Sequence, residues 1–68
     1  MLEAKVYFRV ETDSIEKISE IAGNAEFICE ETNQTAFVTD VITLKSAEEI
    51  SARFDANGIN VVSVLPVL

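Results

Sequence analysis

The sequence predicts a small α+β domain in which a central β-hairpin joins two halves that each contain a strand and a helix. The hairpin signal lies between Ala25 and Leu44, where two runs rich in Phe, Ile and Val flank the polar segment T-N-Q-T. Alternating polarity before this stretch and helical spacing on both sides of it predict the order βαββαβ. The chain has 68 residues, the length of one domain, so residues 1–68 are predicted to fold as a single unit.

The first strand is predicted from a strict alternation of apolar and polar residues between Leu2 and Glu11. This period of two is typical of a strand with one buried face. The even-numbered residues are predicted to face the core. The odd-numbered residues, with Tyr7 between Lys5 and Arg9, are predicted to face away from it.

The first helix is predicted to begin at the N-cap Asp13, because Glu16 follows three residues later as a capping box requires. Isoleucines at helical spacing form its apolar stripe. Gly23 is predicted to end this helix, since glycine readily takes the left-handed position after a helix.

The second helix is predicted to begin at the N-cap Ser46, with Glu49 completing another capping box, and to end at Asn57-Gly58. Its predicted buried stripe consists of Ala47, Ile50 and Phe54. The last strand is predicted over Ile59 to Leu65 and is apolar on both faces. Pro66 lacks an N–H, which favours a position on an edge strand or at a strand end.

The hairpin turn is predicted at Asn33-Gln34, which pairs Cys29 with Val38. One face of the hairpin is then assigned to the core: Phe27, Cys29, Ala36, Val38 and Ile42. The other face is assigned to solvent or a partner: Ile28, Glu30, Phe37, Thr39 and Val41. Asp40 falls on the core face, where a lone carboxylate is costly. Either a bulge turns Asp40 outward, or it lies at the rim of the sheet, or the register differs.

Right-handed crossovers predict an antiparallel sheet in the order 4-1-3-2 with both helices on one face. This plan resembles the ferredoxin-like two-layer sandwich. ACT-type regulatory domains share it, and the resemblance implies pairing through sheet edges, although their glycine-bearing loop after the first strand is missing here. Heavy-metal-associated domains carry Cys-x-x-Cys after the first strand, and this chain has Val10-Glu-Thr-Asp there, so copper binding is not expected.

The composition excludes several classes of protein. Twelve acidic and five basic residues give a net charge of −7, which opposes binding to nucleic acid or to an anionic membrane. One cysteine and no histidine exclude an intrachain disulfide and a Cys/His zinc site. With neither a signal core nor a membrane span in the sequence, we expect a cytoplasmic protein with a reduced thiol.

Catalytic groups are scarce. Glu30 and Glu31 are adjacent in a strand and point to opposite faces, so they make a poor acid/base pair. Glu48 and Glu49 lie in a helix first turn, where solvated carboxylates are favourable. Cys29 is predicted to be a core thiol. We therefore expect no enzymatic activity, no metal site and no cofactor.

The segment Ala36 to Val41 resembles the third-strand motif of RNA-recognition-motif domains, in which two central aromatics stack on bases. The resemblance implies that Tyr7 and Phe37 are the stacking residues. Thr35 and Asp40 stand where that motif has aromatics, and the net charge opposes RNA. Binding of RNA or a small ligand on this face is therefore the alternative interpretation.

The preferred interpretation is a non-catalytic interaction or regulatory module that forms a homodimer through the uncovered sheet face or the last-strand edge. Other partners that we consider are another protein and, because of the acidity of the chain, a basic one. The predicted interface consists of Lys5, Tyr7, Arg9, Ile28, Phe37, Thr39, Val41, Val62 and Val64.

Overall fold

The computed structural model describes residues 2–68, which form two helices and five strands. In chain order the elements are β1 (Glu3–Val10), α1 (Ile15–Ala22), β2 (Ala25–Glu31), β3 (Gln34–Thr39), β4 (Ile42–Thr43), α2 (Leu44–Ala56) and β5 (Val61–Val67). All strand pairs are antiparallel, and β1 pairs with β3, β4 and β5. The α+β class is confirmed. The sheet has five strands rather than the four predicted, with the path β2-β3-β1-β4 and β5 beside β1.

One hydrophobic core lies between the sheet and the two helices, as the even face of β1 predicts. Its members from β1 are Val6, Phe8 and Val10, and its members from the helices are Ile18, Ile21, Ala47, Ile50 and Phe54. Both apolar stripes predicted at helical spacing therefore supply this core. Ile59 is buried just before β5 rather than within it, and β5 runs two residues past the predicted end at Leu65.

Phenylalanine rings fill the centre of this core. Phe8 and Phe37 stack almost parallel, with centroids 5.2 Å apart and planes 5° apart. Phe54 lies against both rings at 6.3 and 6.0 Å, and Phe27 lies 6.2 Å from Phe37. Aromatic pairs at such distances add stabilisation beyond the area they bury.

Both helices begin at different residues from those predicted. The N-cap of α1 is Ser14, whose hydroxyl accepts from the Lys17 N–H, and Asp13 precedes it. The N-cap of α2 is Thr43, which accepts from the N–H of Ser46 at 3.1 Å, so this helix begins earlier than predicted. The physical reason is that Thr43 still pairs with β1 as the last residue of β4, so the helix follows the strand directly.

The hairpin differs most from the prediction. Glu31 pairs with Gln34, so the turn residues are Thr32 and Asn33, and Asn33 has a positive φ of 65°. A β-bulge lies at Ile28 in β2, between the pairs Phe27–Phe37 and Cys29–Ala36. Because a bulge adds one residue to one strand, it changes which residues of that strand share a face.

The predicted faces of the hairpin are therefore wrong for most residues. Phe37 lies in the core, whereas Cys29, Ala36 and Val38 lie on the other face, beside the odd-numbered residues of β1. Phe27 packs on the core as predicted, because the bulge separates it from Cys29.

Asp40 is exposed in the two-residue interruption between β3 and β4, so a local irregularity turns it outward. Thr39, predicted to face outward, is 3% exposed. No helix among residues 2–68 is long and apolar enough to cross a membrane.

Candidate interaction face

One face of the sheet carries no helix, and we call it the open face. It is defined by the odd-numbered residues of β1 and by the residues that pair beside them on β2, β3 and β5. Its members are Glu3, Lys5, Tyr7, Arg9, Glu26, Cys29, Glu31, Gln34, Ala36, Val38, Ser63, Leu65 and Val67. Strand pairing alone sets their positions, because directly paired residues point to the same side of a sheet.

An apolar row crosses the middle of the open face. Tyr7 on β1 pairs with Val38 on one side and with Leu65 on the other. Leu65 is 57% exposed, and Val67, which pairs with Lys5, is 45% exposed. The row therefore presents an aliphatic surface next to the aromatic ring of the only tyrosine in the chain.

Arg9 is fixed beside this row by two hydrogen bonds. Its Nε donates to the Tyr7 hydroxyl at 3.2 Å, and its Nη1 donates to Oε1 of Gln34 at 3.2 Å. The hydrogen bond to Tyr7 raises the pKa of Arg9, and the charge of Glu31 adds to this effect. The guanidinium is therefore a permanent cation held in a defined position.

Anionic groups lie on the opposite side of the open face, on β2. Glu26 pairs with Val38, and Glu31 pairs with Gln34, so both belong to this face. The thiol of Cys29 lies between them and donates to the Glu31 carboxylate at 3.6 Å. Cys29 is half-buried here, and its predicted place in the core is wrong.

The structure separates the predicted interface residues into three groups. Lys5, Tyr7 and Arg9 lie on the open face as predicted. Phe37 and Thr39 are 0% and 3% exposed on the helix side, so their predicted position is wrong. Val64 pairs with Phe8 and also lies on the helix side of the sheet. The exposed residues at irregularities of the sheet are Ile28, Val41 and Val62.

The aromatic pair implied by the resemblance to RNA-recognition-motif domains is not formed. Tyr7 is on the open face, but Phe37 is buried against Phe8 on the opposite side. A base could therefore stack on only one of the two rings.

Several residues of the open face were missed from the sequence. Val38 and Leu65 complete the apolar row, and Glu31 takes the place expected of Glu30, which pairs with the buried Thr35. No sequence signal identifies Leu65, because β5 is apolar on both faces. Among residues 2–68, no group of three or more Cys, Asp or Glu side chains is arranged to hold a metal ion.

The structure is a small α+β domain with an apolar row on its open face, which lies between Lys5 and Arg9 on β1 and carboxylates on β2, with Glu3 at the start of β1. No protein-family model matches the chain, and no curated protein or solved structure shows significant similarity to it. A proposal of function therefore rests on the geometry of the chain itself.

Proposed function

We propose that this chain is a non-catalytic interaction module that forms a homodimer through its open face. The observation that supports this proposal most directly is the apolar row of Val38, Tyr7 and Leu65 on three neighbouring strands. Contiguous exposed apolar area on a sheet face is typical of a contact surface. Two such sheets can pack face to face about 10 Å apart with their side chains interleaved.

The charges on the open face are arranged for a two-fold contact. Glu26 is level with Tyr7, between Lys5 and Arg9 along the strand direction, because Glu26, Val38 and Tyr7 form one row. A two-fold axis between the sheets and parallel to β3 lays β2 of each copy over β1 of the other. Glu26 of each copy then approaches both cations of its partner, and the contact is electrostatically complementary.

The test is the molar mass in solution, measured by light scattering over a wide range of protein concentration. We expect the mass of two chains for the wild type and of one chain for Val38→Glu, because Val38 lies on β3 at the proposed axis and faces its own counterpart. The matched control is Leu44→Glu, since Leu44 is 48% exposed in the helical layer, and we expect this variant to remain dimeric. A one-chain mass for the wild type at every concentration would exclude the dimer, and equal behaviour of the two variants would exclude the open face.

We also propose that the fold is ferredoxin-like, with β3 and β4 as one interrupted strand in the predicted order 4-1-3-2. Only Asp40 and Val41 separate β3 from β4, and β4 pairs with Glu3 and Ala4 just beyond the part of β1 that pairs with β3. On the other edge of β1, β5 pairs as far as Lys5, which leaves Leu68 next to Ala4. Nuclear Overhauser effects from Ala4 to both Ile42 and Leu68 would support this order, and their absence would contradict it.

Two further expectations remain predictions. A cytoplasmic location is expected because the single cysteine has no partner within the chain. An absence of enzymatic activity is expected because, among residues 2–68, no further side chain hydrogen-bonds the Glu31 carboxylate and orients it as a base for the Cys29 thiol.

A further inference from the structure

A groove lies on the helix side of the sheet, between α2 and β5. Its apolar part has a volume of about 260 Å³ and is lined chiefly by Leu44, Ala47, Ser51, Val64 and Pro66. The helical residues recur at a spacing of three or four, so they form one row along α2 facing β5. Two of these helical residues, Ala47 and Ser51, have small side chains.

The groove continues into an acidic part. A neighbouring cavity of about 360 Å³ shares Glu48 and Ser51 with the apolar part and extends to Asp55 and Asn60. Among the described residues, neither part is lined by a lysine or an arginine. The groove therefore offers an apolar floor at one end and two carboxylates along its wall.

The backbone of β5 beside this groove has unpaired groups. The Val6 N–H points to Thr39 on β3, whereas the Glu11 N–H points to Asn60, next to β5. Even-numbered residues of β1 therefore direct their backbone groups away from β5, since these directions alternate along a strand.

The residues of β5 that pair with even-numbered positions of β1 must in turn direct their backbone groups outward. Val64 pairs with Phe8, and Pro66 pairs with Val6. The outer edge of β5 consequently presents the N–H and C=O of Val64 and the C=O of Pro66. The missing N–H of Pro66 is on the solvent side, where it interrupts no bond to β1.

We propose that the outer edge of β5 binds an extended peptide segment of another protein by strand addition. The three backbone groups at Val64 and Pro66 bond the segment, and side chains paired opposite these residues enter the apolar part of the groove. A lysine or arginine further along the segment lies beside Glu48 and Asp55. The ligand is thus a segment with apolar residues at alternate positions and a basic residue at one end.

A second copy of β5 is a poorer occupant of this edge. In an antiparallel pair centred on Val64, each Pro66 has no N–H to offer, and its C=O faces Val62 of the other copy. Val62 is at the bulge of β5 next to the Arg9–Ser63 pair, where the regular alternation of backbone directions is lost. This site is separate from the open face, because Val64 and Leu65 point to opposite sides of the sheet.

The test uses a random nonapeptide display library selected on the full chain, with the enriched peptides resynthesised. We expect enriched sequences that carry two apolar residues separated by one residue, and a flanking Lys or Arg. Val64→Pro removes the outward N–H without breaking a hydrogen bond to β1, and we expect at least a tenfold loss of affinity, whereas Val64→Thr keeps this N–H and should lose less affinity. The amide of Val64 should exchange with solvent more slowly in the complex.

The charge requirement is tested with a matched pair of substitutions that change the net charge equally. Glu48→Lys in the groove should weaken binding of the basic peptides at least tenfold, and Glu16→Lys on α1 should leave it unchanged. Failure to enrich any peptide, or enriched peptides that bind Val64→Pro as well as the wild type, would overturn the proposal. A dimer that dissociates in Val64→Pro but not in Val38→Glu would instead identify a second copy as the occupant.

Discussion

The backbone N–H of Val6 donates to the hydroxyl of Thr39 at 3.1 Å, where β1 passes the interruption between β3 and β4. The same hydroxyl donates to the Asp40 carbonyl at 2.7 Å. A side chain thus replaces the strand-to-strand hydrogen bond that a continuous ladder would supply. Thr39 is 3% exposed, so this arrangement satisfies polar groups where water has little access.

Replacement of Thr39 by valine should be destabilising although the two side chains have similar shapes. The Val6 N–H would lose its partner in a buried position, which costs about 1–3 kcal/mol. Thr39→Ser retains the hydroxyl and should lose less free energy of unfolding than Thr39→Val. Urea unfolding followed by circular dichroism measures both, and equal stability of Thr39→Val and the wild type would show that this hydrogen bond contributes nothing.

Phe37→Ala should destabilise the fold rather than only weaken a dimer. Truncating a buried phenylalanine costs about 3–5 kcal/mol, and a chain of 68 residues is stable by roughly 3–10 kcal/mol in total. Ile28→Ala is the control, since Ile28 is 58% exposed at the bulge, and its effect should stay within about 0.5 kcal/mol. Thermal unfolding of both variants measures this difference. Similar unfolding midpoints for Phe37→Ala and Ile28→Ala would contradict the prediction.

The turn residue Asn33 should tolerate glycine better than alanine. Its φ of 65° lies in the left-handed region, which costs an ordinary L-residue about 1–2 kcal/mol and which asparagine and glycine adopt more readily. Asn33→Ala should therefore lower the free energy of unfolding by about 1 kcal/mol, while Asn33→Gly stays close to the wild type. Alanine and glycine variants of equal stability would contradict this turn geometry.

A charge exchange across the proposed dimer should separate specific pairing from net charge. Lys5→Glu should weaken the dimer, and adding Glu26→Lys should restore it in part, because the contact between positions 5 and 26 is then inverted while Arg9 meets a lysine. Lys17→Glu changes the net charge as much as Lys5→Glu does but lies on α1, so it should have little effect. Sedimentation at low and high salt measures the dimer affinity of each variant. The loss of affinity caused by Lys5→Glu should be smaller at high salt, because salt screens charges.

Much of the fold can be predicted from the sequence because local pattern and tertiary role agree there. The alternation in β1 and the stripes of α1 and α2 are long enough to define one buried face each. Helix starts are less certain, since Thr43 and Ser46 are both suitable caps and only the pairing of Thr43 with β1 selects the first.

The faces of the hairpin could not be predicted, and Ile28 is the reason. Phe27, Ile28 and Cys29 are all apolar, so their pattern fits either assignment of faces and conceals the extra residue of the bulge. The same limitation applies to β5, where valines on both sides leave Leu65 and Val64 indistinguishable until pairing with β1 is known. A run that is apolar on both faces therefore predicts that a strand is present, but it does not predict which face is buried.

The position of Tyr7 gives this protein a built-in optical reporter. The chain has no tryptophan and a single tyrosine, so ultraviolet fluorescence arises from one ring at the centre of the apolar row. Its hydroxyl accepts from Arg9, and a second sheet laid over it would change both the polarity around the ring and its access to a soluble quencher. Occupancy of the open face can therefore be followed without a label, whereas ligands in the groove on the other side should leave the emission unchanged.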